Sequence, residues 1–120
     1  MRWRTLVNSF RYAWSGIRTV FHEERNFRLQ IGAMLLALAL GWFLHVHAVE
    51  MAILVLVSSI VLVLELLNSV IERVVDMVKP RLHPYVAEIK NIAAGAVLLA
   101  ACMAIVVALY IFAPYLRRHL

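Results

Sequence analysis

From Ile92 to Phe112 the chain runs for 21 residues without a charged side chain. Coiled as a helix, at about 1.5 Å per residue, that run matches the hydrocarbon core of a bilayer, about 30 Å thick. Two more apolar runs precede it. Met51–Ile71 is interrupted only by Ser58, Ser59, Glu65, Asn68 and Ser69, and Ile31–Val49 only by His45 and His47. The strictly apolar part of the earliest run, Ile31–Leu44, is short for a span by itself, but its place beside two stronger spans favours insertion. Apolar residues make up 64% of the 120 residues, against roughly 45–50% in ordinary soluble domains. The sequence therefore reads as an all-α membrane protein with spans at 31–49, 51–71 and 92–112, a single domain over 1–120 and no separate soluble unit.

The residues before the spans have another pattern. Trp3, Leu6, Val7, Phe10, Trp14, Ile17 and Phe21 recur every three or four positions, which puts them on one stripe of a helix over 1–27. Arg4, Arg11, Arg18 and Arg25 recur every seven residues along its flank. An aromatic stripe edged by guanidinium groups predicts a helix lying in the membrane interface, with its charges near lipid phosphates. A basic helix packed on a partner protein is the alternative. No compact apolar segment precedes residue 27 and no small-residue cleavage site follows, so a cleavable signal peptide is not expected. Cys102 is the one cysteine; it excludes a disulfide within the chain and reads as a small buried hydrophobe.

Charge distribution sets the orientation. With a cytoplasmic N-terminus, that side holds Arg2, Arg4, Arg11, Arg18, Arg25, Arg28, Arg73, Lys79, Arg81 and Lys90, and the other side only Arg117 and Arg118. Ten against two follows the positive-inside rule. Three spans and a surface helix enclose little core, so a homo-oligomer is expected to cover what one chain leaves exposed.

The second run carries the chemistry. At about 100° per residue, Glu65, Asn68, Glu72, Asp76 and Lys79 fall within an arc of about 80°. The stripe starts about 21 Å along the helix from Met51, inside the hydrocarbon, and descends to the cytoplasmic interface. Glu72 and Asp76 sit four residues apart and repel each other, so near lipid they need a metal ion, a proton or a basic partner such as Lys79. Glu23 and Glu24 end the surface helix at the same level, with Arg81, His83, Lys90 and Asn91 nearby in sequence. Acidic ligands, basic groups and a buried carboxylate at the lipid boundary point to phosphoryl transfer onto a lipid, with Mg²⁺ as the hard cation. No phosphate-cradling glycine loop of a common nucleotide-binding fold is present. Gly95 reads as a close-packing position between helices.

The stretch "ELLNSVIERVVD", the later "HPYVAEIKNIAAGAVLLA" and the earlier "EERNFRLQ" resemble the prokaryotic diacylglycerol kinase and undecaprenol kinase family, over about Tyr12 to Met103. The resemblance implies a homotrimer with shared active sites in the bacterial inner membrane, transferring the ATP γ-phosphate to a lipid alcohol on the cytoplasmic side. It implies Glu65 as catalytic base with Asn68 in the catalytic centre, and Glu24 and Glu72 as ligands of the divalent cation. Tyr12, Glu24, Glu72, Asp76, His83, Lys90 and Asn91 are implied to contact ATP, and Glu65, Arg28 and Trp14 the lipid. Two positions depart from the family: Asn91 follows Lys90 where the family has Asp, and Gln30 stands where the diacylglycerol branch carries an acid. The His-Pro step and "AAGAV" are closer to the undecaprenol branch. Undecaprenol is thus the expected acceptor and diacylglycerol the alternative, with no nucleic-acid partner. Two readings outside this class are a small proton-coupled transporter using Glu65 and a non-enzymatic assembly protein with a polar packing zipper.

Overall fold

The computed structural model describes residues 2–119, and among them every regular element is helical. Helix α1 spans Arg2–Glu23, α2 Arg25–Phe43, α3 Ala48–Met77 and α4 Lys79–Leu82; a 3₁₀ turn, His83–Tyr85, leads into α5, Val86–His119. Three of the helical segments, Arg25–Phe43, Ala48–Met77 and His83–His119, are long and apolar enough to cross a membrane. The protein is a helical membrane protein. Its extents are 57 × 45 × 21 Å; the narrow dimension holds no more than two helices of about 10 Å diameter side by side. Few residues can be covered on all sides in so thin a body, and Trp3, Phe10, Trp42, Phe43 and Tyr110 are all exposed.

The helices overrun the apolar segments at both ends. Helix α3 continues through Glu72 and Asp76 to Met77, because nothing before Pro80 breaks it; Pro80 then occupies the first turn of α4, where its missing N–H costs nothing. Helix α5 passes Pro114 and reaches His119. The amphipathic reading of 1–27 as one helix meets a break at Glu24, whose backbone is extended (φ −108°, ψ 109°). Arg28 explains how the break holds. Its guanidinium donates to the carbonyls of Phe21 (2.7 Å) and His22 (3.0 Å), capping the C-terminal end of α1 from the first turn of α2.

Away from Glu24 the bundle is closed by apolar packing. Leu44, Leu54, Ile111 and Phe112 form a buried cluster, with Val46, Met51, Val107 and Tyr115 against it. Gly41 is buried there because a Cβ would lie 2.9 Å from Cε of Met51 and 3.4 Å from Val46. The α2–α3 loop turns through His45, in the left-handed region at φ 55°. It ends at His47, whose N–H donates to Glu50 Oε1 at 3.1 Å. The Tyr115 hydroxyl also donates to Glu50, and the Arg118 guanidinium lies 5.6 Å from the Tyr115 ring centre. Two packing expectations differ from the fold. Cys102 is exposed on α5 rather than buried, and a Cβ on Gly95 would meet nothing within 4 Å. Both face away from the chain's own helices.

Candidate functional site

Helix α3 carries the polar stripe, and its neighbours decide which of those groups are covered. Glu65 is 4% exposed and Ser69, one turn below, 1%. Asn68 donates through Nδ2 to Glu72 Oε1 at 3.2 Å, which orients the carboxylate along the helix. The Asn68 Oδ1 is buried and, among the described residues, has no hydrogen-bond partner. Glu24 comes in from the α1–α2 break and accepts a hydrogen bond from the Ser69 hydroxyl at 3.4 Å. Glu72 lies two turns after Glu65 on the same face of α3, and Glu24 reaches that face through Ser69. Carboxylates from two parts of the chain, Glu24 from the α1–α2 break and Glu65 and Glu72 from α3, thus lie along one stretch of the polar face of α3.

The basic groups lie at the open end of this cluster. Lys90, near the start of α5, places Nζ 2.8 Å from Asp76 Oδ1. The sequence offered Lys79 as the intrahelical partner for the lower carboxylates; the structure brings a lysine from the neighbouring helix instead. Arg73 pairs with Glu23 of α1 and donates to both the hydroxyl and the carbonyl oxygen of Ser69, the latter at 3.3 Å. Tyr12 and Trp14 stay exposed on α1, as do His83 and Asn91 around the start of α5. Arg28 is committed to the α1 carbonyls. The sequence-level site residues brought together are therefore Glu24, Glu65, Asn68 and Glu72, with Asp76 and Lys90 paired beside them.

Outward from Glu65 the same face of α3 changes character. A cavity of about 250 Å³ lies between α2, α3 and α5, lined by Ala33, Ala37, Leu54, Val61, Ala101 and Ala104 among others. Leu54, Val57, Ser58 and Val61 fall within an arc of about 100° that overlaps the arc of the polar stripe. Gln30 and Ser58 supply its only lining side chains with polar atoms. Alanines from α2 and α5 leave the space open. Glu65 does not line this cavity; it lies one helical turn beyond Val61, the last α3 residue in the lining.

Compared with known proteins, residues 11–112 match the family model for prokaryotic diacylglycerol kinase. The chain belongs to the prokaryotic diacylglycerol kinase family. This is a family of lipid kinases, enzymes that phosphorylate an alcohol. A diacylglycerol kinase of Synechocystis is 43% identical over 85% of this chain, which spans 59% of that relative's length. An undecaprenol kinase of Bacillus subtilis is 35% identical over 90% of this chain and 88% of its own. A diacylglycerol kinase of Escherichia coli K12 is 32% identical over 84% and 83%. Relatives named for two different lipid alcohols therefore match this member of the diacylglycerol kinase family over nearly the same residues.

Ser69 and Arg73 carried no site role in the sequence reading, and Glu23 was placed at the level of the site without a partner. A signal existed for Ser69, which stands one turn after Glu65 and within about 40° of it. None existed for Arg73, whose acidic partner is 50 residues away.

Proposed function

We propose that this chain transfers the γ-phosphate of ATP to the terminal hydroxyl of a membrane lipid alcohol, with undecaprenol as the acceptor. The observation that carries the reading is the single face of α3, which lines an apolar cavity from Leu54 to Val61 and, one turn further on, carries the buried Glu65 and the polar groups below it. A lipid tail in the cavity brings its hydroxyl to Glu65. Glu65 takes the hydroxyl proton as the alkoxide oxygen bonds to the γ-phosphorus, and ADP leaves with the bridging oxygen and its electron pair. The His-Pro step and the match to the Bacillus subtilis undecaprenol kinase favour undecaprenol. The higher identity to the Synechocystis diacylglycerol kinase favours diacylglycerol as the second candidate.

Mg²⁺ suits the donors at the cluster, which are oxygens only: Glu24, Glu72 and the unpartnered Asn68 Oδ1. Among the described residues no three acidic, histidine or cysteine side chains gather as a complete metal site. A protein shell of one or two carboxylates is what Mg²⁺ uses when nucleotide phosphates and water complete its six positions. Held by Glu24 and Glu72, the ion would offset the charge of the nucleotide phosphates. Lys90, oriented by Asp76, meets the phosphates, and Tyr12, His83 and Asn91 surround the nucleotide. Trp14 and Arg28, which keeps Nε and NH2 as donors, face the lipid headgroup region. The N-terminus and the site are placed on the cytoplasmic side of the inner membrane, in keeping with the ten-to-two distribution of Lys and Arg. A homotrimer with shared sites would cover the exposed apolar faces of α3 and α5.

The test is a parallel assay of the purified protein in lipid bicelles with ATP, Mg²⁺ and either undecaprenol or diacylglycerol. Phosphorylation of undecaprenol at the higher kcat/KM is expected, and Glu65→Gln should remove it. Faster turnover of diacylglycerol would reassign the acceptor, and full turnover by the Gln variant would remove Glu65 from the chemistry.

A further inference from the structure

Glu24 occupies an awkward place for a ligand. It is the single extended residue between two helices, so no helix fixes where its carboxylate points. What holds it is a closed ring of side chains. Glu23, its chain neighbour, pairs with Arg73; Arg73 donates to the Ser69 hydroxyl; and that hydroxyl donates to Glu24 Oε1 at 3.4 Å. A helical serine commonly turns its hydroxyl back to the carbonyl four residues before it. Here Ser69, 1% exposed, spends its proton on another element. The ring has one direction: because Arg73 can only donate, it leaves Ser69 to act as acceptor toward the guanidinium and donor toward the carboxylate.

We infer that Ser69 and Arg73 are positioning residues for Glu24, fixing its carboxylate beside Glu65 and Glu72 so that the α1–α2 break presents a preformed cation ligand. The inference rests on the proposed role of Glu24 as a metal ligand. Neither residue touches the reacting atoms. Ser69→Ala removes only the hydroxyl from a buried site and leaves Glu24 without its donor. Arg73→Gln leaves Ser69 without its orienting partner and Glu23 without its counter-charge. Arg73→Lys retains the charge but not the forked donors.

The experiment measures Mn²⁺ affinity by electron paramagnetic resonance on the full chain in bicelles with ATP, beside the Mg²⁺ dependence of turnover. The Ser69–Glu24 bond is long at 3.4 Å, so its loss is set in the range of an ordinary rather than a charge-assisted hydrogen bond, about three- to tenfold weaker cation binding. That shift is expected for Ser69→Ala and Arg73→Gln, a smaller one for Arg73→Lys, and kcat at saturating Mg²⁺ should stay within about twofold in all three. A purely structural ring would lower the unfolding temperature and leave Mn²⁺ affinity unmoved. If Glu24→Ala weakens Mn²⁺ binding and Ser69→Ala and Arg73→Gln do not, the positioning role is overturned while the metal role of Glu24 stands. If Glu24→Ala has no effect either, both are overturned.

Discussion

Lys90 permits a quantitative separation of structural from catalytic roles. Its Nζ lies 2.8 Å from Asp76, but the two side chains are 36% and 56% exposed. An ion pair that open contributes at most about 1 kcal/mol, the rest being screened by solvent. A charge-assisted hydrogen bond from the same ammonium to a phosphate oxygen contributes about 1.5–3 kcal/mol. Lys90→Gln should therefore lower the unfolding free energy by less than about 1 kcal/mol. It should raise the KM for ATP about 10- to 150-fold, at 1.4 kcal/mol per factor of ten. Steady-state kinetics in bicelles and equilibrium unfolding in mixed micelles read the two quantities on one preparation. A KM within twofold of wild type in a folded variant would refute the phosphate role. A loss of stability above about 3 kcal/mol would refute the treatment of the pair as solvent-screened.

Four further outcomes follow from the same geometry. Glu72→Ala should lose turnover that excess Mg²⁺ partly restores, measured as a Mg²⁺ titration; independence from Mg²⁺ concentration would remove Glu72 from the cation site. Ala104→Leu should raise the KM for the lipid and leave that for ATP unchanged, because the added carbons occupy the cavity outward from Glu65; an unchanged lipid KM would place the tail elsewhere. Tyr115→Phe deletes the hydroxyl that donates to Glu50 and accepts from the His47 N–H at 3.4 Å. It should cost about 0.5–1.5 kcal/mol of stability with kinetics intact, and a kinetic defect in a stable variant would contradict that separation. Gly41→Ala should cost under about 1 kcal/mol, since the atom it meets is the mobile end of Met51; chemical denaturation would show a larger loss if the backbone had to move.

Helical membrane character was legible because apolar runs of bilayer length leave few other solutions. The face of α3 was legible for a related reason: helical phase puts Glu65, Asn68 and Glu72 together whatever their neighbours do. What phase could not supply was the partner across the gap. Lys79 and Lys90 are both near Asp76 by any reading of the chain, and only the antiparallel packing of α5 on α3 selects Lys90. The α1–α2 break was legible only in part: Glu23 and Glu24 marked the end of the surface helix, but Arg25 continues the seven-residue spacing of Arg4, Arg11 and Arg18, with no glycine or proline to mark a stop. Its causes are tertiary: Arg28 on the carbonyls of Phe21 and His22, and Ser69 with Arg73 on Glu24 and Glu23. Tyr115 was overlooked for the opposite reason, since it lies past the apolar run that drew attention to α5.

The two ends of the bundle are built from different interactions, and that difference bears on how substrates reach Glu65. At the loop end, the Leu44–Leu54–Ile111–Phe112 cluster and the Glu50–Tyr115–His47 contacts tie α2, α3 and α5 together. At the charged end, buried residues such as Val20, Phe27 and Val75 form no cluster like that one among the described residues, and half-exposed polar bonds link the helices. Local opening is cheapest where buried apolar contact is sparse. Parting α1 from α3 therefore requires breaking Glu23–Arg73 and Ser69–Glu24 and uncovering Val20, the buried residue of α1. The bonds that position Glu24 are thus the ones that would yield for a nucleotide to enter, while the clasped end keeps the cavity and Glu65 in register. Variants at the ring should then change the rate of nucleotide binding as well as cation affinity. Variants at Tyr115 should change neither, a contrast that stopped-flow measurements on both sets would read directly.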